Sequence, residues 1–214
     1  MRTYLSLENK QPDPLPEPFR QDDVRYPPTL VQEFLEEYTN PGDRVLDPFA
    51  GFGTTLIAAQ TAGRVPFGIE LDGDKVSFTQ EFLHQPENLI HGDARRLASY
   101  NLPRFDFSMT SPPFATIDEA TDPLSDYTTK GAGYRAYLRD MGAIYAQVRS
   151  VMKLAGVVVL EVSNLKQHGR VTTLAWDLGA EIAKVLHFEG EVIICWDQYP
   201  YGYDHSYCLV FSAL

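Results

Sequence analysis

The stretch from Arg44 to Thr55, RVLDPFAGFGTT, constrains the fold more than any other part of the chain. Val45 and Leu46 read as the end of a buried parallel strand, and Asp47 places an acid where that strand stops. Gly51 and Gly53 remove Cβ atoms where backbone must approach a ligand closely. Thr54 and Thr55 then open a helix at Leu56, whose unpaired N–H groups favour an anionic partner. The glycines alone are equally consistent with a plain strand-to-helix turn. Their setting behind Asp47, Pro48, Phe49 and Ala50 favours a ligand site.

The pattern on either side alternates strand and helix. Leu30, Val31, Phe34 and Leu35 follow helical spacing up to the turn Asn40-Pro41-Gly42, and a second helix runs from Leu56 to Gly63. Strands are predicted at Val65 to Leu71, around Leu89 and Ile90, at Phe105 to Thr110 and at Gly156 to Val162. Helices are predicted over residues 73–83, Tyr134 to Met152 and 171–187. Two final strands, Glu191 to Trp196 and Tyr207 to Phe211, pair antiparallel at the sheet edge. Such alternation implies parallel pairing with right-handed crossovers, so ligand groups gather beyond the strands' carboxyl ends. Asp47, Glu70, Asp93 and Ser111 all fall there.

The segment Ser111-Pro112-Pro113-Phe114 follows the fourth of these strands. An aromatic exocyclic amine is a poor nucleophile because its lone pair is conjugated with the ring. A hydroxyl and a carbonyl whose direction prolines restrict can grip its N–H bonds while an electrophile approaches in line. Together, DPFAGFGTT and TSPPF resemble the first and catalytic motifs of the amino-methyltransferase family, which uses S-adenosylmethionine (SAM) to methylate exocyclic amines of nucleic-acid bases. The resemblance implies a Rossmann-like class I SAM-dependent methyltransferase: an α/β domain with a mainly parallel seven-stranded sheet and an antiparallel C-terminal edge. It implies that Asp47 and Phe49, with Pro48, Ala50, Gly51 and Gly53, shape the cofactor pocket and that Thr54 and Thr55 meet the methionine carboxylate. Glu70 would accept hydrogen bonds from ribose hydroxyls, with Leu71 beside it, and Asp93 and Ala94 would meet the adenine end. Asp93 also reads as the cap of a short helix. The RYPP segment, Arg25 to Pro28, resembles the family's substrate-carboxylate strap, with Tyr26 at the cofactor; Arg25 reads equally as an ordinary surface charge. The Ser111 hydroxyl and Pro112 carbonyl would hold the amine, Pro113 would keep the turn rigid, and Phe114 would stack on an extruded base. Serine as the first motif letter resembles the cytosine-N(4) members rather than the adenine-N(6) ones. No metal is required.

Composition limits the substrate. The chain has 214 residues, room for one domain (25–214) behind an extended proline-rich arm (1–24) that is either loose or a strap. Its formal net charge of −11 disfavours free duplex DNA, since phosphate binding relies on Lys and Arg. Acids crowd residues 13–40, whereas Lys130, Arg135, Arg139, Arg149, Lys153, Lys166 and Arg170 dominate residues 128–170. Among these, Arg135, Arg139, Lys166 and Arg170 are the candidate substrate-binding cations; scattered solvated charges are the alternative. The insertion after Phe114 carries Asp118, Glu119, Asp122 and Asp126, which would repel nearby phosphates unless directed away. No separate target-recognition region is visible. The expected partner is therefore nucleic acid, DNA before RNA, single-stranded or distorted, with a protein partner or a homodimer contributing to recognition. An RNA-base enzyme and a catalytically silent SAM-binding subunit are the rival readings. The aromatic segment Tyr199 to His205 reads either as a base-stacking platform or as packing for the edge hairpin. Cys195 and Cys208 are expected as buried free thiols, and the absence of a membrane-length apolar run or signal core points to a cytoplasmic protein.

Overall fold

The computed structural model describes residues 2–11, 13–17, 19–199 and 203–214. An alternating chain of β2 (Arg44–Asp47), α2 (Thr54–Thr61), β3 (Val65–Glu70), α3 (Gly73–Gln80), β4 (Leu89–His91) and β5 (Phe105–Thr110) builds one half of the sheet. It is preceded by β1 (Tyr4–Leu7) and α1 (Pro28–Tyr38). The other half comes from α4 (Tyr134–Val151), β6 (Met152–Val162), a small hairpin β7 (Leu165–Gln167) and β8 (Arg170–Thr172), α5 (Leu174–Ile182), β9 (His187–Trp196) and β10 (His205–Ser212). The main sheet runs β1-β9-β10-β6-β5-β2-β3-β4, with β10 antiparallel to both β6 and β9 and the other pairings parallel.

The sheet therefore has eight strands rather than the expected seven, because the arm itself supplies one. Tyr4 to Leu7 pairs parallel with Ile193 to Trp196 and covers what would have been the exposed edge of the C-terminal pair. Four residues are too few for alternation to show in sequence. β10 lies between β6 and β9 and pairs antiparallel with β9, as expected of the two final strands. Further along the arm, Leu15 is buried and Phe19 meets Phe52 and Phe78 with ring centroids 5.2 and 5.5 Å away.

Helices cover both faces because the buried strands are apolar on both. Along β6, Val158 and Leu160 face the cluster of Met141, Ile144 and Val148 on α4 and Leu178 on α5, whereas Val159 between them faces Leu30, Phe34 and Ala59 on the opposite side. The helix expected over 171–187 is shorter. The turn His168-Gly169, with φ of 50° and 74°, folds residues 165–172 into the β7–β8 hairpin, and α5 starts only at Leu174. Both cysteines are free, Cys208 buried as expected but Cys195 exposed, since it stands on an outward position of β9. No helix among the described residues is long and apolar enough to cross a membrane, and no group of three His, Cys, Asp or Glu side chains there is arranged to hold a metal.

Candidate active site

The carboxyl ends of β2, β3, β5 and β6 open into one cavity of about 320 Å³. Its floor is the glycine turn. Asp47 is 2% exposed and accepts the Phe49 N–H on Oδ1 at 3.0 Å, which folds the chain back after β2 and sets Pro48, Phe49, Ala50 and Gly51 along the cavity. Burial pushes the Asp47 carboxyl up to about 6, against the pull of that N–H.

Gly51 and Gly53 serve different purposes. Gly51 lines the cavity in a left-handed conformation, φ 51°, and donates its N–H to Glu70 Oε2 at 2.7 Å. Gly53, φ 75°, lies outside the lining: a Cβ there would collide with Cγ2 of Thr79, so its freedom serves the packing of α2 on α3 rather than ligand approach. The two threonines split in the same way. Thr54 borders the cavity, but Thr55 is fully buried and its hydroxyl bonds that of Tyr26, so Thr55 supports the wall instead of forming it.

Glu70 is 9% exposed, and its two oxygens accept one backbone N–H each, from Gly51 and, at 2.9 Å, from Asp72. Burial raises its pKa while these bonds lower it. Each oxygen keeps a lone pair, so the carboxylate can still take two hydroxyl donors. Leu71, Asp93 and Ala94 continue this wall. Asp93 caps the short helical turn after it by accepting the Arg95 N–H at 2.8 Å, and its carboxylate is held by the Arg95 guanidinium. Tyr26 enters from the strap beside Asp23, Val24 and Arg25. Arg25 is turned to Asp23, at 2.8 Å from each oxygen.

Ser111 to Phe114 form the opposite wall. The carbonyls of the motif have different fates. That of Pro113 accepts the Tyr137 hydroxyl at 2.8 Å and that of Phe114 the Tyr127 hydroxyl at 2.5 Å. The Pro112 carbonyl has no hydrogen-bond partner among the described residues. Two tyrosines therefore brace the turn and leave free the one acceptor next to the Ser111 hydroxyl. Tyr127 also meets the Phe114 ring edge-on, centroids 6.3 Å apart.

Sequence reasoning missed Glu161. It lies on β6, one residue beyond the Thr110–Leu160 register, so the parallel pairing puts it beside Ser111 at the cavity, 5% exposed. Burial raises its pKa, and the hydroxyls of Ser206, Ser111 and Tyr199 favour its charged form. Ser206 Oγ in turn accepts the Trp196 indole N–H at 2.9 Å. An acid near the end of an apolar run, GVVVLEV, was the available signal. Tyr199 stacks on Trp196 at 5.9 Å and lines the cavity, while His205 does not; Pro200, Tyr201 and Gly202 lie outside the described residues.

Three of the four acids of the insertion are paired with cations. Asp118 pairs with Arg170 at 2.7 Å, Asp122 with Arg95 at 3.1 Å and Asp126 with Lys75 at 3.4 Å. The basic run is thinned likewise, since Lys153 pairs with Asp106 and Arg149 donates to the Leu214 carbonyl. Arg135, Arg139, Lys166 and Arg170 are exposed and outside the cavity lining. The cavity fits SAM in its donor and acceptor set: free lone pairs on Glu70, an apolar shelf of Phe49, Leu71 and Ala94, and first-turn N–H groups of α2 beside Thr54.

Residues 7–81 match a family described as DNA methylase. A segment of 47 residues is 53% identical to the type II methyltransferase M.MthZI of Methanothermobacter thermautotrophicus, covering 22% of this chain and 13% of that protein. In structure, the chain is similar to TrmN from Thermus thermophilus, with a TM-score of 0.64, 18% identity, and coverage of 92% of this chain and 52% of that one. It is also similar to a SAM-dependent methyltransferase from Methanosarcina mazei, with a TM-score of 0.60, 11% identity, and coverage of 84% and 96%. Over residues 7–81 the chain is thus similar to DNA methylases, and its sheet has the class I SAM-dependent methyltransferase fold.

Proposed function

We propose that this chain transfers a methyl group from SAM to the exocyclic amine of a nucleic-acid base, cytosine N(4) in DNA. The observation that carries this reading is the open Pro112 carbonyl beside the Ser111 hydroxyl, on a turn whose next two carbonyls are already occupied by Tyr137 and Tyr127. Those two acceptors suit the two N–H bonds of an aromatic amine, and the bracing keeps them in place without reorganisation. Phe114 borders the cavity, where it would stack on the base. SAM supplies a methyl group activated by its sulfonium. With SAM bound, methyl transfer to the amine nitrogen would leave that nitrogen with one proton to lose. Glu161, alongside Ser111 and shielded from water, is placed to receive that proton.

Serine at the head of the motif supports cytosine over adenine only through its resemblance to the cytosine-N(4) members of the family. The test is label transfer from SAM to single-stranded DNA, duplex DNA and RNA, with nucleosides identified by mass spectrometry. N(4)-methylcytosine from DNA, lost in Phe114→Ala, is the expected result. Methyladenine as sole product would overturn the reading of Ser111, methylated RNA alone would favour an RNA enzyme, and SAM binding with no transfer would leave a silent subunit.

A further inference from the structure

We infer that the β7–β8 hairpin is the element with which this chain grips the groove of B-form duplex DNA next to the base to be methylated. This rests on the methyltransferase reading above and adds the form of the substrate. The hairpin is rooted at the active site and projects from it. At its base Leu165 is buried and lines the cavity, and Thr172 is buried with its hydroxyl accepting the Ile117 N–H at 3.0 Å. Residues 166–171 between them are all exposed. The two-residue turn His168-Gly169, both left-handed, keeps the ribbon narrow.

Charge and shape point to one occupant. The segment from Leu165 to Thr173 contains Lys166, His168 and Arg170 and no acid, in a chain of net charge −11. Pairing places Gln167 and Arg170 on the face shared with Leu165 and Thr172, toward the cavity rim, and Lys166 and Val171 on the other. Arg170 is held by Asp118, but both side chains are more than half exposed, 62% and 61%, so a phosphate can displace the carboxylate at little cost. Exposed Val171 on the ribbon and exposed Ile117, bonded to Thr172 at its base, offer apolar contact to sugars and thymine methyls. At about 3.3 Å per residue, three-residue arms reach about 10 Å, comparable to the B-DNA major groove, about 8.5 Å deep and wide enough for a two-stranded ribbon. The major groove of A-form RNA is too narrow to admit it. The expected preference for single strands rested on the lack of a recognition domain, the acidic net charge and a motif that needs an accessible base; the hairpin bears on the first of these, and its three-residue strands are too short to show a period in sequence.

The experiment is fluorescence anisotropy with a labelled 20-base-pair DNA duplex, the RNA duplex of the same sequence and the DNA single strand, over a salt series. Wild type is compared with Lys166→Ala and with K166A/R170A, and SAM titration serves as the folding control. DNA duplex is expected to bind more tightly than RNA duplex. The double variant should weaken DNA binding at least tenfold and reduce the slope of log K against log salt by about 2, with SAM affinity unchanged. Lys166, which has no polar partner among the described residues, should by itself lower the slope by about 1. Unchanged duplex affinity in both variants, or equal binding of the RNA duplex, would overturn the inference. Methylation of single strands by a chain with no duplex affinity would sink the grip and leave the enzyme; hairpin-dependent duplex binding with no methyl transfer to any nucleic acid would do the reverse.

Discussion

Oε2 of Glu70 lies 2.7 Å from the backbone nitrogen of Gly51, so the acid at the end of β3 is hydrogen-bonded to the glycine turn after β2. The two residues most suggestive of cofactor binding are therefore one unit. Glu70→Ala leaves the Gly51 and Asp72 N–H groups without an acceptor, each a cost of about 1–3 kcal/mol where water cannot replace it. A lowered melting temperature and at least tenfold weaker SAM binding by calorimetry are expected together. Wild-type SAM affinity in this variant would remove Glu70 from the site.

Asp47 makes stability depend on pH in the direction opposite to an ion-paired acid. Its folded-state pKa, about 6, stands above its ordinary value, so its contribution is fully present below about pH 4 and is lost as pH rises through 6. At pH 7 the loss amounts to about 2–3 kcal/mol relative to a neutral side chain. Thermal melts of Asp47→Asn against wild type should show the variant gaining stability at pH 8 and no gain at pH 4. An advantage independent of pH would mean that Asp47 is not a buried charge.

If Glu161 receives the amine proton, methyl transfer should rise with pH through its raised pKa, since only the carboxylate can accept. Glu161→Gln should lose roughly 10²–10⁴-fold in kcat, flatten that limb of the pH profile and leave SAM affinity nearly intact. Glu161→Asp should restore part of the rate. A Gln variant with wild-type kcat and an unchanged profile would return Glu161 to a structural role.

What could be read early and what could not divide along physical lines. The strand–turn–helix at Arg44 to Thr55 and the turn at Ser111 to Phe114 were legible because their chemistry is local: glycine's φ, proline's fixed ring and an acid at a strand end act within a few residues. Helices α1 and α4 were legible because each repeats its apolar face over three turns or more. Strand β1 and the β7–β8 hairpin were not, because three or four residues show no period and their pairing partners, in the case of β1, lie 189 positions away, Tyr4 against Ile193.

Sequence alone thus determined the fold class and marked where the cavity would open, at the ends of the strands before Asp47, Glu70 and Ser111. The tertiary structure decided which members of those motifs face the cavity. It turned Gly53 toward Thr79 and Thr55 toward Tyr26, gave each acid of the insertion except Glu119 a cation, and brought Glu161 beside Ser111. The reason is register: side chains alternate across a sheet, so what an acid in an apolar strand meets depends on which strand lies next to it and at what offset, and local sequence carries neither.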